Sequence, residues 1–399
     1  MKFTEAYFAD HMRPLTGSAI REIFKLLAKP GMISFAGGNP SMSALEPDVI
    51  SDIAQEVLAK HGATLLQYGA TDGFAPLRES AAEFLRGSSV NCDASCILPV
   101  QGGSQAFDLL LKALINPGDV ILVESPTFLG AIQAMREYNA RLISMPTDNE
   151  GVIVEAAEEL IKKHHPKMMY VIPTFQNPTG ITLSLGRRKA LAELASKYGV
   201  IIAEDDPYRD LRYSGKALPS IQSFDEEGWV VYMSSFSKYV SPGMRVGAAV
   251  VRNNPLLLRK MVIGKQSADV HSPLLTQAII DAYLRKGLMP AHLARICGDY
   301  KLQRDAMLEG FKHFPEGTTH TLPDGGLFVW AELPDGVDGM KVFNRAVENN
   351  VAFVPGTHFY PDGGHLSTLR LNFSMSNVDT IKVGMERLGK VISDVVKEG

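Results

Sequence analysis

Lys238 and Arg245 share one polar stretch, Ser234-Ser235-Phe236-Ser237-Lys238-Tyr239-Val240-Ser241-Pro242-Gly243-Met244-Arg245-Val246-Gly247. It follows directly on Trp229 to Met233, an apolar run that reads as a buried strand. A lysine at such a strand end can form a Schiff base with a carbonyl compound, provided that its amine is neutral at working pH. Burial and a neighbouring cation both lower a lysine pKa. Arg245 supplies the cation, and its fork also suits a phosphate, to which Ser235 and Ser237 would add hydrogen bonds. A serine-rich loop with an ordinary surface lysine is the plain alternative. Ser-x-x-Lys by itself does not decide between them.

Other strand ends carry the same kind of residue. After Val123 comes Ser125-Pro126-Thr127-Phe128, and after Ile172 comes Gln176-Asn177-Pro178-Thr179-Gly180. After Ala203 comes Glu204-Asp205-Asp206-Pro207-Tyr208. In open α/β sheets ligands bind beyond the carboxyl ends of the strands, so these placements point to one site. Ile97 to Gln101 reads as a strand, Gly102-Gly103 as a turn, and Ser104 opens a helix with Phe107, Leu110, Leu111 and Leu114 on its buried face. Free N–H groups and the positive dipole end make such a turn an anion site, which Gly103, Ser104 and Gln105 could line. A tight strand–helix turn with a serine cap explains the same residues.

The elements that must position these groups alternate in type. Short apolar runs at Val120–Val123, Leu142–Met145, Met168–Ile172, Val200–Ala203, Val230–Met233 and Val246–Val250 are separated in several places by helical stretches such as Phe128–Tyr138, Glu155–Lys163 and Gly186–Tyr198. That pattern predicts a largely parallel sheet covered on both faces. From about Ile263 a long helical region runs to Lys312, and strands at Gly326–Leu333, Val351–Val354 and Thr368–Phe373 precede a helix from Asn377. This predicts a smaller α+β domain. In Leu369-Arg370-Leu371-Asn372-Phe373 the apolar residues share one face and Arg370 points to the other. Near the start, Ser18 can cap a helix running to Lys29, with Arg21 at the border of its apolar stripe. Gly37-Gly38 then allows either close approach to a ligand or a plain turn.

Composition excludes several classes. The 399 residues are 45% hydrophobic and 21% charged, as in ordinary globular proteins. A net charge of −4 gives no reason to expect nucleic acid or an anionic membrane as partner. No run approaches the roughly 18 apolar residues of a membrane span. Met1-Lys2-Phe3-Thr4-Glu5 lacks an apolar signal core, so the expected location is cytoplasmic. Cys92, Cys96 and Cys297 make neither a disulfide framework nor a zinc site, and no metal is expected.

Ser235-Phe236-Ser237-Lys238 with Arg245 resembles the cofactor-lysine segment of fold type I aminotransferases that use pyridoxal 5′-phosphate. Landmarks from about Ser18 to Phe373 fall in family order. Ser18-Ala19-Ile20-Arg21-Glu22-Ile23, Phe35-Ala36-Gly37-Gly38 and Lys265-Gln266-Ser267-Ala268-Asp269 most resemble the 2-aminoadipate/kynurenine branch. The resemblance implies a mostly parallel seven-stranded sheet with helices on both faces plus a smaller α+β domain. It implies an arm and helix over residues 1–45 packing with the small domain, a cofactor-binding domain over 46–290 and a small domain over 291–399. Lys238 would hold the aldehyde and move the proton. Asp205, chosen over Asp206 by position, would pair with the ring nitrogen. Tyr208 and Asn177 would bond the phenolic oxygen, and Phe128 would stack on the ring.

The same resemblance assigns Arg370 to the substrate carboxylate, with Asn177 and Gly38 nearby, and Arg21 to a distal carboxylate. Tyr68 would reach the phosphate of a partner subunit, which implies a homodimer with shared sites. The implied reaction moves an amino group from an L-amino acid to a 2-oxo acid, with 2-oxoglutarate as the expected acceptor, in a ping-pong cycle. A lyase, a decarboxylase or a cyclopropane-forming synthase with the same cofactor is the rival reading. The ligand-sensing domain of a transcription regulator is a second rival, disfavoured because the few residues ahead of Ser18 leave no room for a DNA-binding domain.

Overall fold

The computed structural model describes residues 3–13 and 31–398. The expected helix from Ser18 to Lys29, with Arg21 on it, lies outside the described residues. Among the described residues a short 3-10 turn at Glu5–Tyr7 is followed by the two-residue strand β1 (Ile33–Ser34). Strands β2 (Ile97–Val100), β3 (Val120–Ser125), β4 (Arg141–Asp148), β5 (Gly151–Val152), β6 (Met168–Val171), β7 (Ile201–Asp205), β8 (Val230–Ser235) and β9 (Gly247–Val250) then build one sheet in the order β2-β9-β8-β7-β6-β3-β4-β5. Pairings β4·β3, β3·β6, β6·β7 and β7·β8 are parallel, whereas β9 runs antiparallel to both β2 and β8.

Helices cover both faces, which is why the strands read as unbroken apolar runs. Met168 and Tyr170 of β6 join the core with Phe107, Ala131 and Met261, from the helices Gly103–Leu114, Leu129–Glu137 and Pro255–Asp269. Met169 and Val171 point the other way, to Ile161 and Leu191 of the helices Val154–His164 and Leu185–Tyr198. The sheet has eight strands where seven were expected. The addition is β5, a two-residue return on β4. It forms because Asp148 Oδ1 accepts the Glu150 N–H at 2.8 Å and Gly151 takes a φ of +94°, closing a tight turn.

The second sheet is antiparallel. Strands β10 (Thr319–His320), β11 (Phe328–Glu332), β12 (Val351–Ala352), β13 (Val354–Pro355) and β14 (Thr368–Asn372) follow the long connecting helix Met289–Gly310. Four of them pair in the order β10-β11-β14-β13, flanked by the helices Gly339–Glu348 and Val378–Lys397. The single strand expected over Val351–Val354 is split at Phe353. Its first half pairs in parallel with β1 and its second half with β14. The N-terminal segment is thereby tied to the small domain, with Asn372 N donating to Phe35 O at 2.8 Å. Every residue of β14 is buried, so Arg370 does not face solvent. Among the described residues no helix is long and apolar enough to cross a membrane.

One contact joins the sheet to the turn that opens helix Gly103–Leu114. A Cβ on Gly247 would lie 2.7 Å from Ser234 O and 2.8 Å from Gly102 Cα, so β9 meets that turn backbone to backbone. Gly247→Ala should therefore destabilise the protein by about 1–3 kcal/mol through overpacking. Gly186, in the helix Leu185–Tyr198, has open space around its Cβ position. Gly186→Ala should stabilise by about 0.5–1 kcal/mol. Urea denaturation of the two proteins checks the contrast, and a neutral Gly247→Ala would mean that the strand yields without cost.

Candidate active site

The carboxyl ends of β3, β6, β7 and β8 open on a cavity of about 400 Å³. Lys238 enters it from the turn after β8, half-buried, and its Nζ donates to Gly38 O at 2.6 Å. Burial pushes the Lys238 amine down to about 8, and the Arg370 and Arg245 guanidinium groups push the same way against Asp205. Arg245 was expected to do this; Arg370 acts with it. Gly38 is at the cavity as expected, through a carbonyl that holds the lysine.

Arg245, Ser235, Ser237, Gly103 and Ser104 form a cup at one end of the cavity. Ser235 Oγ donates to Ser237 Oγ at 2.9 Å, and Arg245 Nη1 donates to the same Ser237 Oγ at 3.3 Å. Arg245 Nη2 also donates to Gln101 O at 2.8 Å. This guanidinium crosses so close to Gly102 that a Cβ there would stand 2.7 Å from Nη2, and Gly102 has a φ of +84°. Gly103 and Ser104 occupy the first turn of the helix, where N–H groups have no intrahelical acceptor.

Gln105 departs from expectation. Its side chain does not face the cavity: Nε2 donates to Asp269 Oδ2 at 2.7 Å, and Oε1 accepts from Gln101 N and from Lys265 Nζ. Its neighbour Gln101 donates to the same Asp269 oxygen at 2.6 Å. The Lys265 and Asp269 pair takes this side chain, which leaves the cup to Arg245, hydroxyl groups and backbone.

Asp205 faces the cavity and Asp206 does not, because successive side chains at the end of β7 alternate. Asp206 is fully buried against Arg209, with Oδ2 3.1 Å from Nη1. Asp205 Oδ2 accepts the Tyr170 hydroxyl at 2.5 Å. Burial pushes Asp205 up to about 6; the Tyr170 hydrogen bond and Lys238 oppose the rise, and Asp206 adds to it.

At the other end, Asn177 Nδ2 lies 3.4 Å from the Tyr208 hydroxyl. Asn177 Oδ1 accepts from Arg370 Nη1 at 3.0 Å, and Arg370 Nη2 donates to Ala36 O and Gly37 O. Arg370 Nε is buried with no partner among the described residues, and its guanidinium lies 4.3 Å over the Phe328 ring. Phe128 forms an aromatic wall, its ring over Gly130, where a Cβ would lie 2.6 Å from it. Tyr68 does not enter this cavity; it is 80% exposed, with its ring edge-on to His271.

Sequence reasoning missed Tyr170 and Phe328, both on the cavity wall. Tyr170 had a signal, a phenol in an otherwise aliphatic run whose hydroxyl needs a partner once buried. Phe328 had none. Among the described residues no cluster of His, Cys, Asp and Glu could hold a metal ion.

The chain matches the family model for aminotransferase class I and II over residues 30–388. It is 41% identical to an aromatic-amino-acid aminotransferase of Thermococcus litoralis, over 99% of this chain and 96% of the relative. It is 38% identical to a 2-aminoadipate transaminase of Thermus thermophilus, over 96% and 95%. A kynurenine aminotransferase from Pyrococcus horikoshii, solved in complex with PMP, superposes with a TM-score of 0.93 at 40% identity, covering 98% of each chain.

The two neighbouring aspartates should separate cleanly. Asp206→Asn leaves Arg209 buried without its charge and should cost about 3–5 kcal/mol of stability. Asp205→Asn removes a carboxylate whose folded-state pKa is raised, so its ionised form opposes folding above its unfolded pKa. That substitution should not lower stability at neutral pH. Thermal melting of the two apoproteins checks this, and the reverse order would assign the buried pair to the wrong aspartate.

Proposed function

This chain belongs to the aminotransferase class I and II family, and we propose that it moves the amino group of 2-aminoadipate, glutamate, leucine or an aromatic amino acid to a 2-oxo acid. 2-Oxoglutarate is the proposed acceptor, in ping-pong alternation. We further propose a cytoplasmic homodimer in which the outward Tyr68 serves the partner's cup. The names of the relatives support the aromatic, aminoadipate and kynurenine types of substrate. The observation that carries the reading is Arg370, a buried guanidinium beside Lys238 whose Nε–H, unpartnered among the described residues, can meet the one group all these substrates share, the α-carboxylate.

The cofactor is pyridoxal phosphate, and the cavity suits it. The cup of Arg245, Ser235, Ser237 and the helix N-terminus fits a phosphate dianion. Asp205, with an oxygen unclaimed by hydrogen bonds, fits a protonated ring nitrogen, and Tyr208 with Asn177 fits a phenolic oxygen. Phe128 offers a face for the ring and Lys238 an amine for the aldehyde. When bound, the group supplies the electron sink that lets an amino acid lose its Cα proton.

The remaining steps belong to the side chains. A Lys238 amine held near 8 is substantially neutral in the weakly alkaline range, so it can take a proton from Cα and return it. Positioned transfer of this kind contributes roughly 10²–10⁴-fold. Arg370 would fix the carboxylate and with it the direction of the Cα–H bond, which favours proton loss over decarboxylation. The aromatic walls Phe128 and Phe328 would shield that transfer on two sides.

Glutamate should bleach the visible absorbance of the purified enzyme and 2-oxoglutarate should restore it, with no release of ammonia or carbon dioxide. Release of either would turn the reading to a lyase or decarboxylase. Arg370→Ala should raise KM for amino acids and 2-oxo acids alike, by about 1.5–3 kcal/mol for each charge-assisted bond lost. Equal kinetics in the variant would remove Arg370 from substrate binding.

Arg21, on a segment for which no geometry is described, is proposed to bind the distal carboxylate of acidic substrates. Arg21→Ala should lower kcat/KM for 2-aminoadipate and glutamate by about 1.5–3 kcal/mol while leaving leucine and phenylalanine within a few-fold. Equal losses in both classes would make Arg21 a packing residue.

A further inference from the structure

Tyr170 stands on β6 one residue before its end, wholly buried. Its ring lies 4.8 Å from that of Phe107, centroid to centroid, so the phenol is held between helix Gly103–Leu114 and the sheet. Its hydroxyl crosses to the neighbouring strand β7 and donates to Asp205 Oδ2 at 2.5 Å. The other oxygen, Oδ1, takes no hydrogen bond from any described residue. It lies 3.6 Å from where a Cβ on Gly103 would stand, at the cavity wall.

We propose that Tyr170 is the positioning residue for Asp205: by holding Oδ2 it turns Oδ1 toward the cofactor's ring nitrogen and keeps the shared proton on that nitrogen. The inference rests on the assignment of Asp205 to the ring nitrogen made above. A hydrogen bond to the charged form of a carboxylate favours that form and makes it a poorer base. Burial works against this, since it raises Asp205 to about 6, into the range where it would compete with a pyridine nitrogen for the proton. Of the groups facing the pair, Lys238 from the turn after β8 also favours the carboxylate. Asp206, turned onto Arg209, acts the other way. Glu124 on β3 and Tyr208 beyond β7 face Tyr170 itself and, with burial and Asp205, keep its phenol protonated and donating.

Tyr170→Phe retains the ring against Phe107 and removes only the donor. Holoenzyme reconstituted with cofactor carrying 15N in the ring reports the protonation of that nitrogen, and fluorescence titration gives the dissociation constant of pyridoxamine phosphate. In Tyr170→Phe the 15N shift should move toward the neutral-pyridine value, and binding should weaken roughly tenfold. Site-specific 3-fluorotyrosine at position 170, a stronger donor of nearly the same shape, should move both readings the opposite way. It carries the test alone if the phenylalanine variant does not fold. Unchanged shift and affinity in either protein overturn the inference and leave Tyr170 as packing.

Asp205→Asn decides the premise. If its 15N shift also equals that of the wild type, Asp205 is not the nitrogen's partner and the site assignment fails with the inference. If it moves while Tyr170→Phe does not, only the role of Tyr170 fails.

Discussion

Keeping the Lys238 amine out of water is the constraint on which the site depends. An ammonium loses its hydration on burial, so the neutral form gains, and two guanidinium groups in the same cavity add to that preference. The arrangement would be unstable if nothing received the amine's hydrogens, but Gly38 O does so at 2.6 Å. Asp205 tempers the shift without reversing it. An amine with a lowered pKa is the direct consequence of this burial, and it is what the proposed role of Lys238 as nucleophile and base would draw on.

The scaffold meets that demand with parallel strands whose ends converge and with glycines where backbones must touch. Gly247 and Gly102 bring β9 against the turn before helix Gly103–Leu114, and Arg245 crosses that turn to reach Gln101 O. Behind the turn, Asp269 gathers Gln101, Gln105 and Lys265. Lys265 has no exposed surface and also reaches Ser272. Removing Asp269 would leave the Lys265 ammonium buried and uncompensated, so this ion pair braces the turn from outside the cavity.

Much of this was legible because sheet geometry leaves a plain trace. Apolar runs ending in polar residues locate strand ends, and strand ends locate ligands; Lys238, Asp205, Asn177 and Phe128 all reach the cavity on that logic. That Asp205 and not Asp206 faces the cavity follows from the alternation at the end of β7. The Gln105 side chain could not be read. Whether a first-turn glutamine faces the cup or the helix behind it depends on Asp269, which follows 164 residues later. The split at Phe353 was likewise hidden, since it arises from a competition for partners between β1 and β14 that no local pattern records. Arg21 has no structural description to weigh.

Arg370 shows how the two lobes and the N-terminal segment become one site. It comes from β14 of the small domain, donates to Asn177 of the large one, and rests on the carbonyls of Ala36 and Gly37. Gly38 O, next along, holds Lys238. Among the described residues both cations are therefore held by neutral oxygens, those of Ala36, Gly37, Gly38 and Asn177, and not by a carboxylate. That distinction matters for binding. On the role proposed for Arg370, an arriving carboxylate would have no ion pair to break among the described residues: it would take the Nε–H and displace only neutral acceptors, exchanging weak bonds for charge-assisted ones. Had an aspartate or glutamate been packed against Arg370, the protein would carry a more comfortable buried charge and a poorer site. On that proposal, leaving the guanidinium short of a charged partner would cost stability in the free protein and return it as affinity for any substrate that brings a carboxylate.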